Sequence, residues 1–518
     1  MSEHLLSIMT FLPILGMAIL LLIPRENDSL LKSFTLIVTL VTFAVSLPLA
    51  FNPVFTTDGG MQYKEFASWI SVGDFFEMNY NVGIDGISLW LVMLTTFIMP
   101  IAVLSTWQAV EKNIKGFMAL LLLLETGMLG AFISLDLFLF YIFWELMLIP
   151  MYFLIGIWGG KNRIYAAVKF FIYTAVGSLL MLVAILFVYY YALQSGMKMD
   201  GFSIAQFYQL QVPAHAQLWL FLAFAFSFAI KVPMFPLHTW LPDAHTEAPT
   251  AGSVILAAIL LKMGTYGFVR FAMPLFPDAL ATCMPYLATL CVIGIIYGSL
   301  VAMVQTDVKK LVAYSSVAHL GFVMLGVFAL NLQGLTGGMI QMINHGISTG
   351  ALFLIVGFIY ERRHTREISE FGGLAKRMPI FTTIFLIITF SSIGLPGTNG
   401  FVGEFLALVG AFESGLRWYA VVATTGVILA AVYMLWMFQR VMFGEITNPK
   451  NAELQDLNAR EIVLMIPLLV FVFWIGIYPN TFFSKMSPAL ENLIIQVKGK
   501  QQVAMVQPIE APHHVEFK

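Results

Sequence analysis

Long apolar runs, cut at charged or Gly/Pro-rich punctuation, recur along the whole chain. Fourteen of them are candidate membrane spans, near 5–23, 31–51, 86–106, 116–133, 137–157, 167–193, 216–237, 251–272, 284–305, 311–330, 338–360, 379–411, 418–440 and 461–482. A helix of roughly 20 apolar residues crosses the hydrocarbon of a bilayer. The leader Met1-Ser2-Glu3-His4 has no basic cluster, and no small-x-small cleavage site follows it, so the first run reads as a retained span. The polar stretch 52–85 is long enough for local structure at the surface. The tail 483–518, of mixed polarity, reads as extended or partly disordered at its end.

Two of the runs are broken by their own residues. One reads Ile230-Lys231-Val232-Pro233-Met234-Phe235-Pro236, with prolines that remove donors inside a helix. The other reads Gly394-Leu395-Pro396-Gly397-Thr398-Asn399-Gly400-Phe401. Broken helices at corresponding places in two halves point to a transport site. The breaks lie five spans apart, an odd number, so spans 4–8 and 9–13 would run in opposite senses as an inverted repeat. The organisation that follows is 1–115 for three spans and an outer loop, and 116–272 for a first five-helix repeat. A second repeat covers 273–440, and 441–518 holds a last span and the tail.

Composition agrees with the pattern. Of 518 residues 59% are hydrophobic and 11% charged, with a mean hydropathy of +0.86. No water-soluble fold hides that much apolar surface behind so few charges, and the expected class is an all-α polytopic membrane protein. The net charge of −2 shows no basic excess for nucleic acid. The two cysteines, Cys283 and Cys291, are too few for an iron–sulfur cluster or a disulfide framework. No phosphate-binding glycine motif follows a strand pattern. With the N-terminus outside, sixteen Lys and Arg fall at inner loops and span edges. Eight fall outside, counting Lys64, Lys198, Arg270, Arg417 and four tail lysines. The positive-inside rule then places both termini away from the cytoplasm.

Candidate chemistry comes from charges inside the spans, each costing roughly 2.5–3.5 kcal/mol on insertion scales. Glu125, Glu145, Lys169, Lys231, Lys262 and Glu404 lie there, with His319 and His345 beside them. A merely structural bundle needs none of these, so proton or ion passage is the expected function. Glu145 and Lys231 in contact would form a switchable pair, each favouring the other's charge against burial; the plainer reading is a static ion pair. Lys262 has no acid in its own helix and suits a proton relay. His345 lies on a polar stripe with Gln341 and Ser348, whereas His319 could be a satisfied buried histidine. Glu404 follows the second break as Lys231 accompanies the first, with opposite sign. Lys169 lies near enough to the inner end for partial hydration. The loop with His238, Asp243 and His245 has metal-ligand types, but its prolines and Trp240 read as a rigid inner turn.

Three strings carry a resemblance: FYIFWELMLIPMYFLIGIWGG (140–160), KVPMFPLHTWLPDAHTEAPTAGSVILAAILLKMGTYG (231–267) and GLPGTNGFVGEF (394–405). Together they resemble the antiporter-like subunits of respiratory complex I, along essentially the whole chain. Glutamate at 404 is similar to the M type of these subunits, where the L and N types usually carry lysine. The resemblance implies a proton-translocating membrane-arm subunit of a bacterial plasma membrane. Glu145 and Lys231 would be the coupling pair, Lys262 and His345 the central relay, and Glu404 the outlet, with His319 a further family histidine. It implies no cofactor in this chain; NADH, FMN, iron–sulfur clusters and quinone belong to partner subunits, and L-type and N-type subunits are the expected neighbours. Multi-component cation/proton antiporters and membrane-bound hydrogenase or photosynthetic-type complexes use similar chains and are the alternatives.

Overall fold

In hydrocarbon every backbone N–H and C=O must be paired within the protein, so apolar runs fold as helices. The computed structural model describes residues 4–73 and 76–506. Its first half comprises α1 (Leu5–Leu20), α2 (Asp28–Phe51), β1 (Gln62–Val72), β2 (Phe76–Ile84), α3 (Gly86–Ala109), α4 (Ile114–Ile133), α5 (Leu137–Leu146), α6 (Leu148–Trp158), α7 (Arg163–Gln194), α8 (Ala214–Lys231), α9 (Trp240–Glu247) and α10 (Thr250–Leu275). The second comprises α11 (Pro277–Met303), α12 (Val308–Phe328), α13 (Leu332–Arg363), α14 (Pro379–Ser392), α15 (Asn399–Glu413), α16 (Arg417–Met442), α17 (Ala459–Ile477) and α18 (Asn480–Val506). Among the described residues 12 helices are long and apolar enough to cross a membrane, with α5 and α6 together forming one. The other two expected spans fall on the shorter α1 and on α14 with α15.

Both expected breaks are present. The first separates α8 from α9 and the second separates α14 from α15. Around them α10 and α13 are buried through their apolar stretches, while α2, α7, α11, α16 and α17 leave wide apolar faces uncovered for lipid. The second half is tied by contacts of α11 with α12, α12 with α13, and α13 with α15.

The stretch 52–85 holds the local structure expected there, as the antiparallel pair β1–β2, whose Tyr63, Phe66, Trp69 and Val72 are strand formers. The structure corrects three expectations. The tail is not extended as far as Val506; α18 buries Phe482, Met486, Ala489, Leu490, Leu493 and Val497 at helical spacing. Residues 507–518 lie outside the described residues. Within the segment 238–245 the turn is confined to His238 and Thr239, since Trp240–Glu247 resumes helical structure after the break. Arg270 is not a loop residue either: it is buried in the last turns of α10, and its Nη2 lies 2.6 Å from Asp85 Oδ1.

The same Asp85 oxygen caps α3 by accepting from the N–H groups of Ile87 and Ser88. The pair therefore joins a helix start to the end of α10 without leaving either charge alone. Removing one member strands the other, at a cost of about 3–5 kcal/mol. Arg270→Met is expected to lower the thermal stability of the assembled protein by that order, and Arg270→Met with Asp85→Asn to recover most of it. Thermal unfolding in detergent checks both.

Candidate functional site

Lys262 is fully buried in the middle of α10. A π-turn over Leu256–Leu260 precedes it, and its ammonium donates to the Ala257 carbonyl inside that turn. A π-turn spoils the regular ladder and leaves carbonyls for other donors, so the helix supplies the partner that lipid cannot. Gly264 lets α10 close on Phe228 and Val232 of the α8 end; a Cβ there would collide with that backbone. The second partner of Lys262 comes from α13, where His345 Nδ1 lies 2.6 Å from Nζ.

From His345 the polar groups continue. The His319 ring on α12 stands 6.0 Å from that of His345, centroid to centroid. His319 Nδ1 is 2.7 Å from Glu404 Oε1, and Gln341 donates to the same oxygen at 3.1 Å. Both Nε2 atoms, and Glu404 Oε2, have no hydrogen-bond partner among the described residues. A small cavity touches both histidines and is otherwise lined by Gln341, Asn344, Ser348, Thr349, Ser391, Ser392 and Gly400. All four central residues singled out from sequence, Lys262, His345, His319 and Glu404, thus fall into one buried file.

The second break supplies its far wall. Asn344 donates to the Asn399 carbonyl at 2.7 Å and to Gln341 Oε1 at 3.1 Å. Asn399 accepts in turn from Ser391 and Ser348. This amide clasp pins the start of α15 to α13, and it carries Glu404 one turn further on. Asn344 and Asn399 were missed by sequence reasoning. The available signal was Asn399 inside a glycine-rich break, one of the few amides in an apolar run.

Glu145 and Lys231 stand apart from this file. The Lys231 ammonium faces the Trp144 ring at 5.0 Å and the Phe170 ring at 5.8 Å. It forms no ion pair with Glu145 among the described residues, which corrects the expected contact. Trp144 and Glu145 are adjacent on a helix and point about 100° apart, and it is the Trp144 ring that covers the ammonium. Glu145 is partly buried, with one oxygen unpartnered. It sits where α5 gives way to α6; Pro150 cannot donate to the Leu146 carbonyl and clashes with it, which interrupts the helix.

The remaining charges divide. Lys169 pairs with Asp243 at 2.7 Å, tying α7 to α9. Glu125 is fully buried, and neither carboxyl oxygen has a partner among the described residues. His238, Asp243 and His245 do not converge: His238 packs on Phe235 and Tyr297, and His245 lies flat on Phe353. No group of three metal-ligand side chains occurs among the described residues.

The family described as "NADH:quinone oxidoreductase/Mrp antiporter, TM" matches residues 134–473. The chain is 48% identical over 505 residues to NADH-quinone oxidoreductase subunit M of Rhodobacter capsulatus, covering 95% of this chain and 96% of that one. Its structure is similar to a chain of respiratory complex I from Thermus thermophilus, with a TM-score of 0.85 and 32% identity over 95% and 99% of the two chains. A chain of the Mrp complex from Dietzia sp. DQ12-45-1b shares the fold, with a TM-score of 0.82 and 20% identity over 97% and 99%.

A methyl group at Gly403 would overlap Gln341 Oε1 and press on Asn344 Nδ2. Gly403→Ala is therefore expected to pull the Gln341 donor off Glu404. The Glu404 carboxyl stretch should shift in infrared difference spectra, assigned by its loss in Glu404→Gln. Gly415→Ala, where the added methyl meets open space, should leave the band in place.

Proposed function

We propose, for a chain that belongs to the NADH:quinone oxidoreductase/Mrp antiporter family and is an antiporter-like, proton-translocating subunit of the complex I membrane arm, that protons pass along Lys262, His345, His319 and Glu404. The observation that carries this reading is the buried file itself: two direct contacts, 2.6 and 2.7 Å long, joined across a polar cavity that both histidines line.

The contacts dictate the tautomers. A charged Lys262 can only donate, so His345 accepts on Nδ1 and carries its proton on Nε2. An ionised Glu404 can only accept, so His319 donates from Nδ1 and leaves Nε2 as an acceptor. The donor Nε2 and the acceptor Nε2 border one cavity, where a water molecule would link them in the direction of Glu404. When Lys262 gives up its proton, His345 passes its own on through that water, and His319 hands one to Glu404. Neither charge crosses hydrocarbon uncompensated. Glu404 lies just past the second break, which suits release, while Glu145, where α5 gives way to α6, and Lys231, at the first break, couple this chain to its neighbour.

In this reading the repeats run in opposite senses, both termini face away from the cytoplasm, and the membrane is the bacterial plasma membrane. The chain is a subunit of an NADH–quinone oxidoreductase, an enzyme complex. The energy would come from NADH oxidation and quinone reduction at FMN, iron–sulfur clusters and quinone in other subunits, with L-type and N-type subunits alongside.

Coupled turnover and proton pumping in membrane vesicles test these roles. Lys262→Ala should lose on the order of tenfold or more of both, and Lys262→Arg, which stays charged, should recover little. Wild-type rates in the Arg variant would make Lys262 a fixed charge. Glu404→Gln keeps size and hydrogen bonding but cannot titrate, so it should assemble normally and lose most turnover, whereas Glu404→Asp keeps most. Glu145→Ala should depress pumping and redox turnover together; full pumping in the assembled complex would remove Glu145 from the coupling.

A further inference from the structure

The relay leaves Lys262 sideways, toward α13, but polar groups also run from it straight along α10. Lys262, Tyr266 and Arg270 recur at intervals of four and so share one face, about 12 Å from first to last. All three are buried, and the row ends at Asp85, the buried residue between β2 and α3. At this end α18 packs across α10, where Lys500 donates to the Pro274 carbonyl at 3.2 Å. In the relay reading protons are released on the hairpin side. A conducting row along α10 would return them to Lys262 and cancel the pumping.

The hydrogen bonds of the row oppose such conduction. A proton wire requires every member to accept on one side and to donate on the other. Arg270 does only the second, because a guanidinium has five N–H donors, no acceptor and a charge it does not give up. Its Nε donates to the Tyr266 hydroxyl at 3.3 Å and its Nη2 to Asp85 Oδ1 at 2.6 Å, so it stands between the two oxygens. The Tyr266 hydroxyl donates its own proton to the Phe132 carbonyl at 2.9 Å, and Tyr208 donates to the Arg270 carbonyl at 2.6 Å. Both hydroxyls thus aim their protons at backbone carbonyls, which carry them no further. A clasp between α3 and α10 needs only two opposite charges. Here a group that can only donate is set between two oxygens that could each pass a proton on.

We propose that Arg270 is a proton stop, which blocks return of protons along α10 from the hairpin end of the bundle to Lys262. The inference rests on the relay reading, since it takes Lys262 to exchange protons. Arg270 moves no proton itself, and its loss opens a path instead of closing one. With the guanidinium gone, water between Tyr266 and position 85 would complete a chain in which every member both accepts and donates.

The test uses the assembled complex in vesicles, with assembly checked on native gels. Two double variants avoid a stranded charge. Arg270→Ala with Asp85→Asn makes room for water. Arg270→Gln with Asp85→Asn keeps length, but its amide both accepts and donates. With the complex idle, an acid pulse outside should enter either kind of vesicle several-fold faster than wild type. During turnover, NADH oxidation should continue while the proton-to-electron ratio falls. A merely structural pair would lower the amount of assembled complex and leave that ratio unchanged. Adding Lys262→Ala to either variant should return the idle permeability to the wild-type level. Wild-type permeability and ratio in both assembled double variants overturn the proposal, as does a leak that Lys262→Ala leaves unchanged. Lys262→Ala alone separates the two readings: full turnover there removes the relay, whereas lost turnover beside tight Arg270 variants removes only the stop.

Discussion

The structure depends on the cost of placing a charge in hydrocarbon without a partner. Lys262 meets that constraint with one backbone carbonyl and one imidazole, neither of which is an anion. An anionic partner would hold the proton; neutral partners stabilise the ammonium enough to exist there and too little to trap it. The π-turn, the glycine approach to α8 and the placement of His345 on the buried stretch of α13 all serve that one contact. At the other end Glu404 is handled in the same way, by a histidine and a glutamine instead of a cation.

The breaks answer the same constraint from the backbone side. Interrupting a helix exposes carbonyls and N–H groups that lipid cannot satisfy. Around the second, Asn344 donates to the Asn399 carbonyl, and Ser348 and Ser391 hold the Asn399 side chain in place. Around the first, the Lys169–Asp243 pair and the contact of Tyr173 with Thr239 hold α9 against α7. Each break thus has an ionisable residue of the spans, Lys231 or Glu404, within a turn or two.

Most of the spans and the central file were legible from residues alone, since Lys262, His345 and Glu404 are conspicuous in apolar runs and the breaks announce themselves through Pro and Gly. What escaped depends on direction in space. Nothing in the order Trp144-Glu145 says which of the two faces Lys231, and the structure gives that place to the ring. Asn344 and Asn399 looked like ordinary polar residues until α13 and α15 were packed together. Arg270 was assigned to a loop because its partner Asp85 is 185 positions away. The helical pattern of α18 was present in the sequence but diluted by lysine and glutamine, and its span-sized rival α17 drew the attention.

The last helix also fixes an order of events in the making of the protein. Lys485 on α18 donates to the carbonyls of Ala50 and Asn52, and Phe482 accepts from the Trp90 indole. The first of these contacts spans 435 positions of chain. Further along, Lys500 and Gln501 reach the carbonyls of Pro274 and Pro277, where the two halves of the chain meet. A growing polypeptide inserts its early spans while this seat is still unfilled, since the residues that fill it are made after all of those spans. The bundle is therefore fastened at one end only once α18 has followed them, and a ribosome that stops short of α18 leaves every earlier span in place with its clasp missing.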